Sequence, residues 1–252
     1  MPAIQVICLP GAVAPAAQRY APLKATLQGE ADLHLLDLEV YRGDKPPDGY
    51  SVDVELAAID RFAASLGLER FHLLGYSGGG FISLAYSGTR PGRLMSLALF
   101  EAAAIPGQMT ADELAFFSAL QGKLRGLDGA AFMSAFVAHH LKPGVPAPPP
   151  PGSPAPGMQK RPAGIAALTQ SFVAYQFDRD RLRAAAFPVY VGYGDLTHEI
   201  ESVNAGVLAS LFADVRIQRH PEVHHFAPPE QIYNPAHVNS LRELWQRAER
   251  SS

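Results

Sequence analysis

A serine set between glycines, in Gly75-Tyr76-Ser77-Gly78-Gly79, is the part of this sequence best equipped for chemistry. A serine hydroxyl is a weak nucleophile until a base takes its proton, and its attack on a carbonyl needs donors for the oxyanion. Phe71-His72-Leu73-Leu74-Gly75 reads as a strand, and Gly78-Gly79-Gly80-Phe81-Ile82 opens a helix. Ser77 therefore falls on a sharp strand-to-helix turn, the setting of a nucleophile elbow. Such a turn strains the serine backbone and needs small neighbours so that strand and helix can approach. It also aims free N–H groups at the helix start, that of Gly78 among them, toward developing negative charge. Two competing readings exist. One is an ordinary Gly-Ser turn. The other is a dinucleotide fingerprint built on Gly75, Gly80 and Glu101, but Ser77 replaces its middle glycine and the unit lies mid-chain.

Other reactive side chains are spread along the chain. The run Arg216-Ile217-Gln218-Arg219-His220-Pro221-Glu222-Val223-His224-His225-Phe226 holds three histidines. His220 and His224 have the spacing of a metal pair, yet Pro221 interrupts any continuous helix there and no H-E-x-x-H pattern occurs, so no metal is expected. The pair His139-His140 is expected to face solvent or to make a contact within the insert between Glu101 and Phe187. Glu101 ends an apolar strand and precedes Ala102-Ala103-Ala104, with no evident solvating partner. Asp195 lies in Val191-Gly192-Tyr193-Gly194-Asp195-Leu196-Thr197, where it has the form of a turn cap. The single cysteine, Cys8, sits in an apolar run as a small buried hydrophobe.

The elements that must position these residues follow from hydrophobic pattern. Short branched runs at Ile4–Leu9, Leu33–Val40, Phe71–Gly75, Met95–Phe100, Val189–Val191 and Val215–Gln218 alternate with segments of helical period. This predicts an α/β fold, a mostly parallel sheet of about six strands with helices on both faces. Helices are expected from Ser51 to Gly67, Gly78 to about Ser87, Val203 to Phe212, and Pro235 to about Arg247. The alternation stops between Glu101 and Phe187. Helices are expected there at Ala111–Leu124, Gly129–Leu141 and Ile165–Tyr175, with no strand. The division is thus a core of residues 1–102 and 187–252 and a helical insert, 103–186. The insert carries a proline-rich loop, 142–162, which reads as a semi-rigid spacer more than as a docking motif.

At 252 residues the chain suits one domain with a sizeable core. A net charge of −3 gives no basic stripe for nucleic acid. The start, Met1-Pro2-Ala3-Ile4-Gln5, lacks signal-peptide features, and no apolar run is long enough to span a bilayer. The expectation is a soluble cytoplasmic protein with no membrane partner and no disulfide.

In strand order, insert position and the place of its last histidine, the chain resembles the α/β-hydrolase superfamily, in its serine-nucleophile branch with a helical cap. The resemblance implies a sheet lacking the family's first two strands. It implies that Ala12, in Leu9-Pro10-Gly11-Ala12-Val13, supplies an oxyanion N–H beside that of Gly78, and that the base is a histidine after the last strand. The family pattern of Gly-His before an apolar residue aligns His225 with the base and His224 with the glycine; His224 is the alternative. The usual acid position holds Thr197, which cannot serve. Some members carry the acid after the strand that follows the nucleophile helix, which here gives Glu101, with Asp195 as the alternative. The expected activity is hydrolysis of a carboxylic ester or related acyl compound through an acyl-enzyme on Ser77, without cofactor. Thioesterase, lactonase and C–C bond hydrolase activities, or a non-catalytic ligand sensor, stand as alternatives. Leu114, Phe116, Phe117, Leu120, Phe132 and Phe136 in the insert, most of them expected as structural packing, point to a small-molecule substrate with an apolar acyl or ring-bearing group.

Overall fold

Six apolar runs become six strands of one parallel sheet: β1 Ile4–Leu9, β2 Ala31–Leu35, β3 Phe71–Tyr76, β4 Leu94–Phe100, β5 Val189–Gly194 and β6 Val215–His220. Their spatial order is β2-β1-β3-β4-β5-β6, with every neighbouring pair parallel. The computed structural model describes residues 4–103, 110–148, 157–227 and 233–250.

Alternation along the strands divides the core into two layers. Val6, Cys8 and Leu74 face α1 (Ala16–Thr26) and α9 (Pro235–Arg250), packing on Tyr20, Leu23, Leu241 and Trp245. Ile7, Leu9, Leu73, Leu97 and Leu99 face α2 (Val52–Ser65), α3 (Gly78–Thr89) and α8 (Ile200–Leu211). Among the described residues, no helix is long and apolar enough to cross a membrane.

Helices start ahead of expectation at Arg161 and Ile200, and Arg179–Arg183 adds a short one; two further differences have clear local reasons. The second strand stops at Leu35 instead of running to Val40, because the chain turns into a short 3-10 helix at Glu39–Tyr41. That turn is held by the buried Glu55 carboxylate, which accepts the N–H groups of Glu39 (2.9 Å) and Val40 (3.1 Å). Helix α1 has too weak an apolar stripe to be read from its sequence and carries Pro22 inside it. It forms because tertiary partners supply what periodicity lacks: Ala16 N–H donates to Asp37 (2.6 Å), and Tyr20 and Leu23 are fully buried.

Between β4 and β5 the chain forms α4 (Ala111–Leu124), α5 (Gly129–His139), α6 (Arg161–Ala174) and the short α7 (Arg179–Arg183). Three contacts tie this segment to the sheet end: a bridge between Leu141 and Thr197, Lys142 N–H on Leu196 O (3.1 Å), and His198 N–H on His140 O (3.0 Å). On α6, Phe172 stacks on Phe81 of α3 with ring centroids 3.9 Å apart. Of the apolar residues expected to contact substrate, Leu114 is half exposed and Phe132 and Phe136 are buried. The side chains of Phe116, Phe117 and Leu120, and prolines 149, 150, 151, 154 and 156, lie outside the described residues.

Candidate active site

Ser77 joins β3 to α3 with φ 52° and ψ −119°, a conformation that ordinary residues avoid. The surroundings hold it there. Its N–H donates to Phe100 O (3.1 Å), its carbonyl accepts from Ala103 N–H (3.0 Å), and Gly79 N–H donates to Pro10 O (3.0 Å). Strand ends and helix start are so close that a Cβ on Gly79 would meet Leu9 O at 2.6 Å. One on Gly80 would meet the Ala102 Cα at 2.9 Å. Strain of this kind costs about 1–3 kcal/mol and persists only where neighbours over-determine it.

The hydroxyl of Ser77 donates to His225 Nε2 at 3.0 Å. On the other side of the ring, Nδ1–H donates to Glu101 Oε2 at 2.6 Å. The second oxygen, Oε1, accepts the Gly194 N–H (2.6 Å) and the Thr197 hydroxyl (2.7 Å). Three donors thus converge on one carboxylate that is only 1 % exposed. Glu101 itself stands at φ 47°, where the chain leaves β4. The His225 loop is fixed by the Tyr76 hydroxyl, which donates to His225 O, and the imidazole packs against the Tyr76 ring (centroids 5.1 Å apart).

The structure brings together Ser77, His225 and Glu101, and leaves the alternatives elsewhere. Asp195 caps a surface turn, accepting from Glu222 N–H (2.8 Å) and from Arg219 (3.3 Å). His224 Nδ1 accepts the Phe226 N–H at 3.1 Å. His220 is buried against the Tyr190 hydroxyl, 2.9 Å away, on the opposite layer. Among the described residues, no group of three His, Cys, Asp or Glu side chains is placed to hold a metal ion.

Above Ser77 a narrow cavity encloses about 40 Å³. Ala12 and Gly78 border it, with their backbones adjacent: a Cβ on Gly78 would lie 3.8 Å from Ala12 N. The Gly78 N–H, first of its helix, has no intrahelical acceptor. Arg161 on α6 reaches the same loop, donating to Ala12 O at 3.2 Å while its guanidinium stacks over Tyr41. Apolar walls come from Phe136, Ile165, Leu168 and Phe172.

Two polar residues in this cavity were not foreseen as part of a site. Sequence pattern places His140 facing solvent or in a contact within the insert. The half-buried ring instead reaches out of the insert and stacks on that of His225, 5.0 Å between centroids and 24° between planes. Its Nδ1–H donates to Phe136 O at 2.7 Å. Burial pushes its pKa down to about 3, with the neighbouring His225 as the next cause. Glu201 lies one residue into α8, ahead of the expected helix start at Val203, so it had no assigned role. Its carboxyl is buried, and burial, then the nearby Glu101 charge, hold its pKa well above the ordinary carboxylate value. The one available signal was an acid beside an apolar helix face, and that is a common surface pattern.

The His140 shift fixes the sign of one pH effect. A histidine with a depressed folded pKa is neutral in the fold and protonates on unfolding, so its contribution is intact above about pH 6.5 and is lost as pH falls. At pH 5 the loss is roughly 2 kcal/mol relative to pH 8. Urea midpoints of the parent and His140→Gln at these two pH values should show a correspondingly smaller acid loss in the variant. Equal losses in both proteins would refute the assignment.

The family model described as "alpha/beta hydrolase fold" matches residues 6–229 of this chain. No curated protein matches it by sequence. Among solved structures it is similar to a thermophilic esterase from Thermogutta terrifontis, with TM-score 0.71 and 18% identity over 97% of this chain and 90% of that one. It is similar to the carboxylesterase CesB from Bacillus subtilis, with TM-score 0.65 and 16% identity over 95% and 83% of the two chains. It is also similar to a proline iminopeptidase from Mycobacterium smegmatis, with TM-score 0.67 and 18% identity over 100% and 92%. With the match extending from β1 to beyond the His225 loop, the chain belongs to the α/β-hydrolase fold family.

Proposed function

We propose that this protein is a serine hydrolase that cleaves a carboxylic ester of a small uncharged acyl group. The observation that carries this reading is the unbroken hydrogen-bonded chain from Ser77 through His225 to Glu101, at the edge of a narrow, mostly apolar cavity. In the proposed reaction His225 Nε2 takes the Ser77 proton as Oγ attacks the ester carbonyl. Glu101 keeps the proton on Nδ1, so that Nε2 is the acceptor, and stabilises the imidazolium that forms. The N–H groups of Ala12 and Gly78 receive the oxyanion. His225 then gives its proton to the departing alkoxide, and the alcohol leaves an acyl-Ser77. Water, deprotonated by the same His225, attacks the acyl carbon; the acid departs and Ser77 recovers its proton.

The esterase and carboxylesterase among the similar structures accord with an ester substrate. The iminopeptidase on the same fold is a reminder that bond type is set in the pocket. The walls given by Ile165, Leu168 and Phe172 favour an apolar acyl chain, and the small cavity favours a short one. Labelling with a fluorophosphonate tests the reading at its centre. A single covalent adduct on Ser77, lost in Ser77→Ala, is the expected result. An intact parent that stays unlabelled after prolonged exposure would overturn it.

A further inference from the structure

The cavity over Ser77 is mostly apolar, yet one part of its wall is not. Glu201 enters it from the start of α8 and His140 from the end of α5. Among the described residues lining it there is no Lys or Arg, so nothing offsets a charge on the Glu201 carboxyl. An isolated buried carboxylate is costly enough that the group keeps its proton instead, which makes it an O–H donor as well as an acceptor. His140 is complementary. Its Nδ1–H is committed to Phe136 O, which fixes the tautomer and leaves Nε2 as the acceptor nitrogen of a ring that lines the cavity. The remaining polar side chain there, Thr169, has spent its hydroxyl on Ile165 O at 2.9 Å.

We propose that Glu201 and His140 form a polar subsite selecting esters that carry an uncharged hydroxyl close to the scissile carbonyl. This deepens the reading of Ser77 as an ester hydrolase and rests on it. A hydroxyl is the small group that meets both requirements at once. It accepts the proton of Glu201 and donates its own to His140 Nε2. A carboxylate in its place would stand beside Glu201 and Glu101 with no cation to balance it, and a plain alkyl chain would leave His140 Nε2 unmet and Glu201 to Asn204 alone. Asn204 lies against the Glu201 carboxyl and competes for it: its amide N–H donates to Ala102 O at 2.9 Å, and its buried Oδ1 has no other partner among the described residues.

The test compares kcat/KM within two matched pairs. One places the hydroxyl on the acyl side (p-nitrophenyl 3-hydroxybutyrate against p-nitrophenyl butyrate). The other places it on the alcohol side (glycerol monoacetate against propyl acetate). The parent should favour the hydroxylated member of one pair by about tenfold or more, the worth of one to two good hydrogen bonds. Glu201→Leu should bring that ratio near parity, and Glu201→Gln, which keeps a donor and an acceptor, should retain most of it. His140→Phe should also collapse the ratio, which keeps the test alive should Glu201→Leu fail to fold. Parity in both pairs for a parent that hydrolyses the plain esters would overturn the subsite while leaving the ester reading intact. It would mean that Asn204 takes the Glu201 proton. A parent that hydrolyses neither pair would overturn the ester reading and this subsite with it.

Discussion

Ser77→Ala is expected to lower kcat on any ester substrate by a factor on the order of 10⁴–10⁶, with KM nearly unchanged. The hydroxyl is small and lies at the edge of the cavity, so its removal takes away the bond-forming atom without altering the walls that bind substrate. Stability should move by about 1 kcal/mol at most, because only the hydrogen bond to His225 is lost. Alanine is also no worse than serine at a φ of 52°. The more discriminating result is non-additivity. His225→Ala alone should cost about as much as Ser77→Ala, and the double variant little more than either, since base and nucleophile act only as a unit. Residual catalysis in all three would come from the Ala12 and Gly78 donors and from binding. Steady-state kinetics on one chromogenic ester, with folding checked by thermal melts, gives the answer. Multiplying rather than merging losses would mean that Ser77 and His225 act independently, and the relay would not stand.

How much of this was legible beforehand differs element by element. The β3–Ser77–α3 turn could be read because its requirements are local. A strand, a strained residue and glycines at close approach are all written within ten residues. The His225 loop was legible only through resemblance, since nothing in His224-His225 says which ring turns inward; the structure gives His224 to the Phe226 N–H instead. Helix α1 was hidden because its stability comes from tertiary burial of Tyr20 and Leu23, while Pro22 and a weak apolar stripe argue against it locally. His140 and Glu201 were hidden for a different reason. Each is an ordinary polar residue near a helix end, and its role depends on how the segment between β4 and β5 folds back over Ser77. That docking is made by long-range backbone contacts such as Leu141 with Thr197, which no periodicity encodes.

The acid is where sequence and geometry meet most informatively, and it carries the second large effect. Glu101→Gln is expected to reduce kcat by about 10³–10⁴, because a neutral amide cannot stabilise the imidazolium and, with its oxygen drawn to Gly194 N–H and Thr197, turns its NH2 toward His225 Nδ1 and favours the wrong tautomer. The introduced amide would also face the Gly194 N–H and the Thr197 hydroxyl with fewer acceptor sites than the carboxylate has. Asp195→Asn should stay within about threefold of the parent and cost at most about 1 kcal/mol of stability, as its partners are an exposed arginine and a turn N–H. On the proposed reading, Thr197 shows how a carboxylate at the family's usual acid position could be replaced by Glu101. Its hydroxyl lies 2.7 Å from Glu101 Oε1, so the two alternative positions converge on the same space beside the imidazole. A carboxylate from either strand can fill it, but not from both, because two buried carboxylates at that separation cannot both ionise. Thr197→Asp alone should therefore lower both activity and melting temperature. Combined with Glu101→Ser, which clears the space, it should recover at least about tenfold of the kcat lost in Glu101→Ser. A strong loss in Asp195→Asn with near-parent kinetics in Glu101→Gln would reverse the assignment. Failure of the double variant to exceed the single one, in a protein that remains folded, would show that the Thr197 position cannot substitute for Glu101.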